Sequence, residues 1–415
     1  MKNKRIVITG VGVVSSIGIG KDEFWKKLLA GKSSFSQISL FDTKKYKIKI
    51  AGEVKNFNAA DYLGQKGLRD FDRTTKFLCT AAKFALEDSG LFEKTNKARI
   101  GISVGSALGS TKSYIGLDLD LIRNGPRLIN PSAFPNMVAN AAASRLAIKF
   151  NITGINSTVS NGSCSFSDAL EFAVCAINNN HAEQVIVGAA EELSEEIFAG
   201  FYAAKCLAGM KPKAPLVSCP FDKRRNGGIL SEGAGVIIIE EMNAALKRKA
   251  KIYAEVVGIN SLFCAYKPMS YDPAGKGMSG VMQGVLDKIN LNREDIDVIF
   301  ANANSTLIAD LAETKAIKAV FKQRIKTLPI TAIKSIIGET HSASGVMNLL
   351  AAIGALTHNV IPPTINQQEK DTQCDLDYVA NIARPARLNK IMLNSFDLNG
   401  AHSVALISKV KGTKQ

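Results

Sequence analysis

The 415-residue chain has no apolar run near the roughly 20 residues needed to span a bilayer. Its opening residues (MKNKRIVITG) run into a strand-like pattern without the apolar h-region of a signal peptide, so a cytoplasmic protein is expected, with no membrane contact. The seven cysteines (79, 164, 175, 206, 219, 264 and 374) form no CxxC pair, and four lie among apolar or small residues. Neither a disulfide framework nor a zinc or other metal site is expected. Residues 10–15 (GVGVVS) lack the third glycine of a dinucleotide loop, and no strand ending in an acidic residue follows at the required distance. They read as a packing turn continuing to Gly18 and Gly20, and no cofactor is expected.

Positive charge is plentiful, with 52 Lys and Arg against 37 Asp and Glu, a formal net of +15. It is dispersed in short groups such as Lys44, Lys45, Lys47 and Lys49, or Lys247 to Lys249. No basic helix interleaved with aromatics appears, which argues against nucleic acid. The excess reads as a solvated lysine-rich surface that would also suit an acidic protein partner.

With 46% hydrophobic residues the chain can bury a large core. Residues 21–30 (KDEFWKKLLA) and 73–89 have helical apolar spacing. Strand-like runs recur at 5–9, 99–104, 184–188, 235–240, 297–301 and 327–331, with helical stretches between them, the alternation of an α/β protein. A polar segment at 240–251 (EEMNAALKRKAK) precedes a new strand at Ile252, dividing the chain into halves at 1–250 and 251–412.

Three stretches carry the functional signal: residues 158–170 (TVSNGSCSFSDAL), 300–317 (FANANSTLIADLAETKAI) and 334–345 (KSIIGETHSASG). Further landmarks are Pro220-Phe221-Asp222, residues 231–235 (SEGAG), 361–366 (IPPTIN) and 394–396 (NSF). Together they resemble the β-ketoacyl synthases, which implies the duplicated five-layer α-β-α-β-α thiolase-like fold. In an active synthase the three stretches carry a nucleophilic Cys and two His. Counting from Gly154 and from residues 187–191 (VGAAE) puts Ser163 at the Cys position; Asn304 and Glu339 stand at the His positions.

A condensing enzyme uses the helix N-terminus to lower its thiol pKa. A hydroxyl there is a far poorer nucleophile and needs an adjacent base; Asn304 cannot exchange protons near neutral pH, and an ionised Glu339 would repel the malonyl carboxylate and a developing enolate. Cys164 is one residue out of register; a step of about 100° along a helix turns it away from the pocket Ser163 faces. His341 reads as a structural, hydrogen-bonding histidine. Residues 394–402 (NSFDLNGAH) replace a glycine-rich loop that supplies oxyanion-hole amides and a gating Phe, whose place Leu398 takes. Lys334, Asp310 and Glu313 are expected to survive as a buried ion network.

The pattern resembles the chain length factors, ketosynthase-like subunits of type II polyketide systems. The resemblance implies a heterodimer with a catalytic ketosynthase that extends a polyketide or polyene from malonyl units on an acyl carrier protein. It also implies an interface helix at 110–119 whose Thr111, Tyr114 and Asp118 gate the tunnel for the growing chain. Two other readings stay open: an active divergent synthase or malonyl decarboxylase using Ser163 or Cys164, and a homodimeric acyl-binding protein.

Overall fold

The computed structural model describes residues 4–91 and 96–410, so the outermost ends of the two expected halves lie outside the described residues. Ten strands build one continuous sheet: β1 (Ile6–Ser15), β2 (Ile100–Gly105), β3 (Asn156–Val159), β4 (Gln184–Glu191), β5 (Gly233–Glu241), β6 (Ala254–Phe263), β7 (Val298–Phe300), β8 (Ile330–Thr331), β9 (Lys390–Phe396) and β10 (Ala401–Ser408). Their spatial order is β8-β7-β9-β10-β6-β1-β5-β4-β2-β3, with a two-residue arm, Gly18–Ile19, folded back on β1.

Adding five to each strand number of the first half gives the order of the second. In both halves the second strand lies parallel to the third and fourth, and the fifth runs antiparallel to the fourth and first. The halves join where β1 meets β6 antiparallel over Ile6 to Ile8. A duplication with no visible sequence repeat is thus plain in the connectivity.

Helices complete the layers. On one outer face α2 (Arg73–Ser89) and α4 (Ala141–Phe150) cover the first half; on the other, α6 (Lys276–Lys288) and α7 (Leu307–Phe321) cover the second. Between the halves lie α5 (Ser165–Asn178) and α8 (Ser344–His358), packed on each other in the largest apolar cluster. Helix α8 is buried almost all round, as a central layer requires. This is the five-layer thiolase-like ketosynthase fold. The remaining labelled helices are α1 (Lys21–Leu29), near the N-terminus, and α3 (Thr111–Asn124), which follows β2.

Local chemistry explains the boundaries. Helix α2 starts at Asp72, whose carboxylate accepts from the Thr75 amide at 2.8 Å, and stops at Gly90 in the left-handed region. The GVGVVS segment proves to be the continuation of β1 and not a turn. Its glycines answer to α2: a Cβ on Gly10 would lie 2.2 Å from the Ala85 carbonyl oxygen, and one on Gly12 would lie 2.0 Å from that of Ala81. Residues 394–402 are likewise a hairpin between β9 and β10, with only residues 397–400 as its turn. Among the described residues no helix is long and apolar enough to cross a membrane, and four of the seven cysteines are buried free thiols.

Candidate functional site

Strand β3 ends at Val159, and a short turn leads into α5, so Ser163 sits just ahead of the helix N-terminus. The turn is tied by the Ser165 hydroxyl, which accepts from the Asn161 amide and donates to the Gly162 carbonyl. The Ser163 amide points at the 397–400 turn and donates to Asp397 Oδ2 at 2.9 Å. Asp397 Oδ1 accepts from the Asn399 amide at 2.8 Å, which fixes the carboxylate. The fit is close: Gly162 has φ +55°, and a Cβ there would fall 2.1 Å from Asp397 Oδ2. A carboxylate therefore already occupies the amide that would otherwise be free to stabilise an oxyanion.

Cys164 is fully buried, its thiol directed at the carbonyls of Ser395 and Ala401 at 3.1 and 3.2 Å. Burial, reinforced by Asp168 and Asp397, pushes its pKa well above the usual thiol value, so no thiolate is available there. The Asn304 side-chain oxygen is taken up by the amide and hydroxyl of Thr306.

Glu339 lies on the turn after Gly338. One oxygen receives the Lys334 ammonium at 2.8 Å; the other receives the Ser344 hydroxyl at 2.7 Å and the His341 amide at 3.0 Å. Burial raises the Glu339 pKa, but the Lys334 charge and these donors outweigh it and hold the group at about 2. It is ionised at neutral pH and its charge is neutralised locally.

The expected single network of Lys334, Asp310 and Glu313 divides in two. Lys334 pairs with Glu339 and donates to Asn302 Oδ1 at 3.1 Å. Asp310 and Glu313 instead clamp backbone amides: Glu313 those of Asn302 and Ala303, and Asp310 those of Asn304 and, from another loop, Phe221. Burial raises both acids, Asp310 to about 7. The physical reason is reach, since Glu339 comes round the Gly338 turn onto the Lys334 ammonium. Asn302 joins the two clusters and also donates to the Phe396 carbonyl, beside Asp397. Through it the second and third stretches meet, and the neighbouring Asp397 joins the first through the Ser163 amide.

His341 departs from expectation. Its ring stacks on Phe201 at 4.4 Å and its Nε2 has no hydrogen-bond partner; only its backbone amide bonds Glu339. Burial lowers its pKa and leaves the imidazole neutral. Tyr271, absent from the sequence reasoning, is buried beside the same groups, and its hydroxyl donates to the Phe396 carbonyl at 3.2 Å. Burial, then Asp397 and Glu339, raise its pKa well above normal. An isolated tyrosine in a polar loop carried no pattern that could have marked it.

A cavity of about 470 Å³ opens beside the turn, its wall formed by residues 106–111 and closed by Tyr114, Ile115, Met137 and Ser160. Thr111 and Tyr114 line it; Asp118, one turn further along α3, does not, and Leu398 packs half-buried against the outer core of the second half. Helix α3 buries no side chain, and Tyr114, Leu119, Leu121 and Ile122 all stand exposed, with Leu128, Phe134 and Val138 following. Strand β3, the terminal strand of the sheet, borders the same region. Among the described residues no group of three or more His, Cys, Asp or Glu could hold a metal ion.

Comparison with known proteins places this geometry. The chain matches the beta-ketoacyl synthase N-terminal domain over residues 3–245 and the C-terminal domain over 253–368. It belongs to the β-ketoacyl synthase family. Relatives include the 3-oxoacyl-[acyl-carrier-protein] synthase 2 of Coxiella burnetii, 35% identical over 99% of this chain and 100% of that protein. The tetracenomycin polyketide synthase ketoacyl synthase alpha subunit of Streptomyces glaucescens is 34% identical over 99% of this chain and 98% of its own. Among solved structures, the ishigamide ketosynthase/chain length factor superposes with a TM-score of 0.92 at 29% identity, covering 98% of this chain and 100% of that one. The chain is thus a ketosynthase-family protein related to 3-oxoacyl-[acyl-carrier-protein] synthases and to polyketide synthase ketoacyl synthase subunits.

Proposed function

We propose that this chain is a chain length factor: a non-catalytic ketosynthase-like subunit that pairs with an active ketosynthase and shapes the tunnel for a chain grown from malonyl units on an acyl carrier protein. The observation that carries this reading is the Asp397 carboxylate on the Ser163 amide. A thiol is missing where a nucleophile would stand, and the amide that would polarise a thioester carbonyl is already bonded to an anion. Glu339, saturated by its own donors, has no lone role left as a base.

Incubated alone with malonyl and acyl carrier thioesters, the purified chain should form no β-ketoacyl product above the uncatalysed background by mass spectrometry. A second reading, a divergent active synthase, draws on relatives named as synthases over the whole chain. Turnover abolished by Ser163→Ala or Cys164→Ala would establish it and remove ours.

The partner reading rests on α3 and β3, an exposed apolar helix beside an open sheet edge. On this reading Thr111 and Tyr114 bound the tunnel, with Asp118 and Leu398 as flanking positions, and the chain works as two halves, 1–250 and 251–412, in the cytoplasm without a cofactor. Because a close-packed wall transmits small changes in volume, Tyr114→Ala should lengthen the product of the reconstituted pair and Thr111→Trp should shorten it. Mass spectrometry of the product distribution decides this; wild-type length from both folded, paired variants would exclude the helix as the gate.

A further inference from the structure

One carboxylate outside the degenerate positions reaches both the cavity wall and the short turn that follows Glu339 and Thr340. Glu191 ends β4 and is 1% exposed. Its Oε1 accepts from the amides of Ala107 at 2.6 Å and Leu108 at 3.2 Å, and from the Ser342 hydroxyl at 2.6 Å. Ala107 and Leu108 belong to the cavity wall; Ser342 lies in the short turn His341–Ala343 that opens onto α8.

The other oxygen of Glu191 is buried with no hydrogen bond, so all three donors converge where wall and turn meet. Burial pushes Glu191 up to about 7 against the pull of those donors. The ends of the wall have separate anchors: the Ser106 amide bonds the Val159 carbonyl at 3.0 Å, and the Ser110 hydroxyl bonds Asp72 at 2.6 Å. Its middle has local bonds, the Gly109 amide to the Ser106 hydroxyl at 3.1 Å and the Thr111 hydroxyl to the Leu108 carbonyl, and Glu191 ties its amides to a distant part of the fold. The Glu191 bonds link residues far apart in sequence, 191 with 107–108 and with 342.

We propose that Glu191 is the positioning residue of the cavity, fixing residues 107–108 and tying them to the 341–343 turn so that the shapes of the two are set together. Its hold on the wall stands on these contacts alone, whereas its consequence for product length rests on the chain length factor reading.

Amide hydrogen exchange followed by mass spectrometry on the full chain tests it. Glu191→Ala should speed exchange across residues 106–111 about tenfold, the loss of roughly one such bond, with protection of the central strands unchanged. Ser342→Ala, a small change distant in sequence, should speed exchange at residues 107–108 in the same direction, and it keeps the test alive if the first variant does not fold. Unchanged exchange at 107–108 in every folded variant overturns the proposal. Faster exchange with a broadened product length from the pair supports both claims; faster exchange with unaltered length supports the positioning role and counts against the length-setting reading.

Discussion

Glu339→Gln should destabilise the folded chain by about 3–5 kcal/mol, the usual cost of leaving one member of a buried ion pair without its partner. Lys334 is 2% exposed, with Asn302 Oδ1 as its other polar contact, so water cannot replace the lost carboxylate. The pH dependence has a definite sign. The folded-state carboxyl sits at about 2, below its ordinary 4.5, so its contribution is complete above pH 4.5 and fades as pH falls through about 2. Denaturant unfolding of wild type and variant should therefore differ most near neutrality and converge in acid. Lys334→Met combined with Glu339→Gln should cost less than Glu339→Gln alone, because no charge is left behind. A single variant within about 1 kcal/mol of wild type at pH 7 would mean the pair is not buried as described.

If the chain is a chain length factor as proposed, its pairing with a catalytic ketosynthase should be at least about 100-fold weaker after Ile122→Glu with Phe134→Glu, since central apolar anchors carry about 2 kcal/mol or more each. Both side chains are open to solvent in the isolated subunit, at 79% and 64% exposure, so neither substitution disturbs its core. Circular dichroism of the variant should match wild type, while sedimentation with the candidate synthase should show free subunits. Undiminished association would move the interface away from α3.

Much of this was readable from residue patterns because short segments keep their chemistry. Helix 73–89 was legible from its apolar spacing, and the structure closes it with Asp72 as cap and Gly90 as terminator. Ser163 and Glu339 could be placed by counting from glycines, and Asn304 by matching residues 300–313 to the family pattern. Hidden from such counting were contacts made across the fold. The glycines of residues 10–15 suggest a turn until α2 is laid over them. Asp397 could be seen as too bulky for its loop, but its hydrogen bond to Ser163 spans 234 positions. Lys334 was grouped with Asp310 and Glu313 by resemblance to the family, and the structure pairs it with Glu339.

The two ends of the sheet differ in a way that limits assembly size. Strand β3 is a four-residue edge, partly open to solvent, whereas its counterpart β8 at the far end has two residues, both buried. A protein with two open edges can add neighbours indefinitely and grow into a fibre. Here one end can accept another strand and the other is capped, so edge-to-edge growth would stop once two subunits had met.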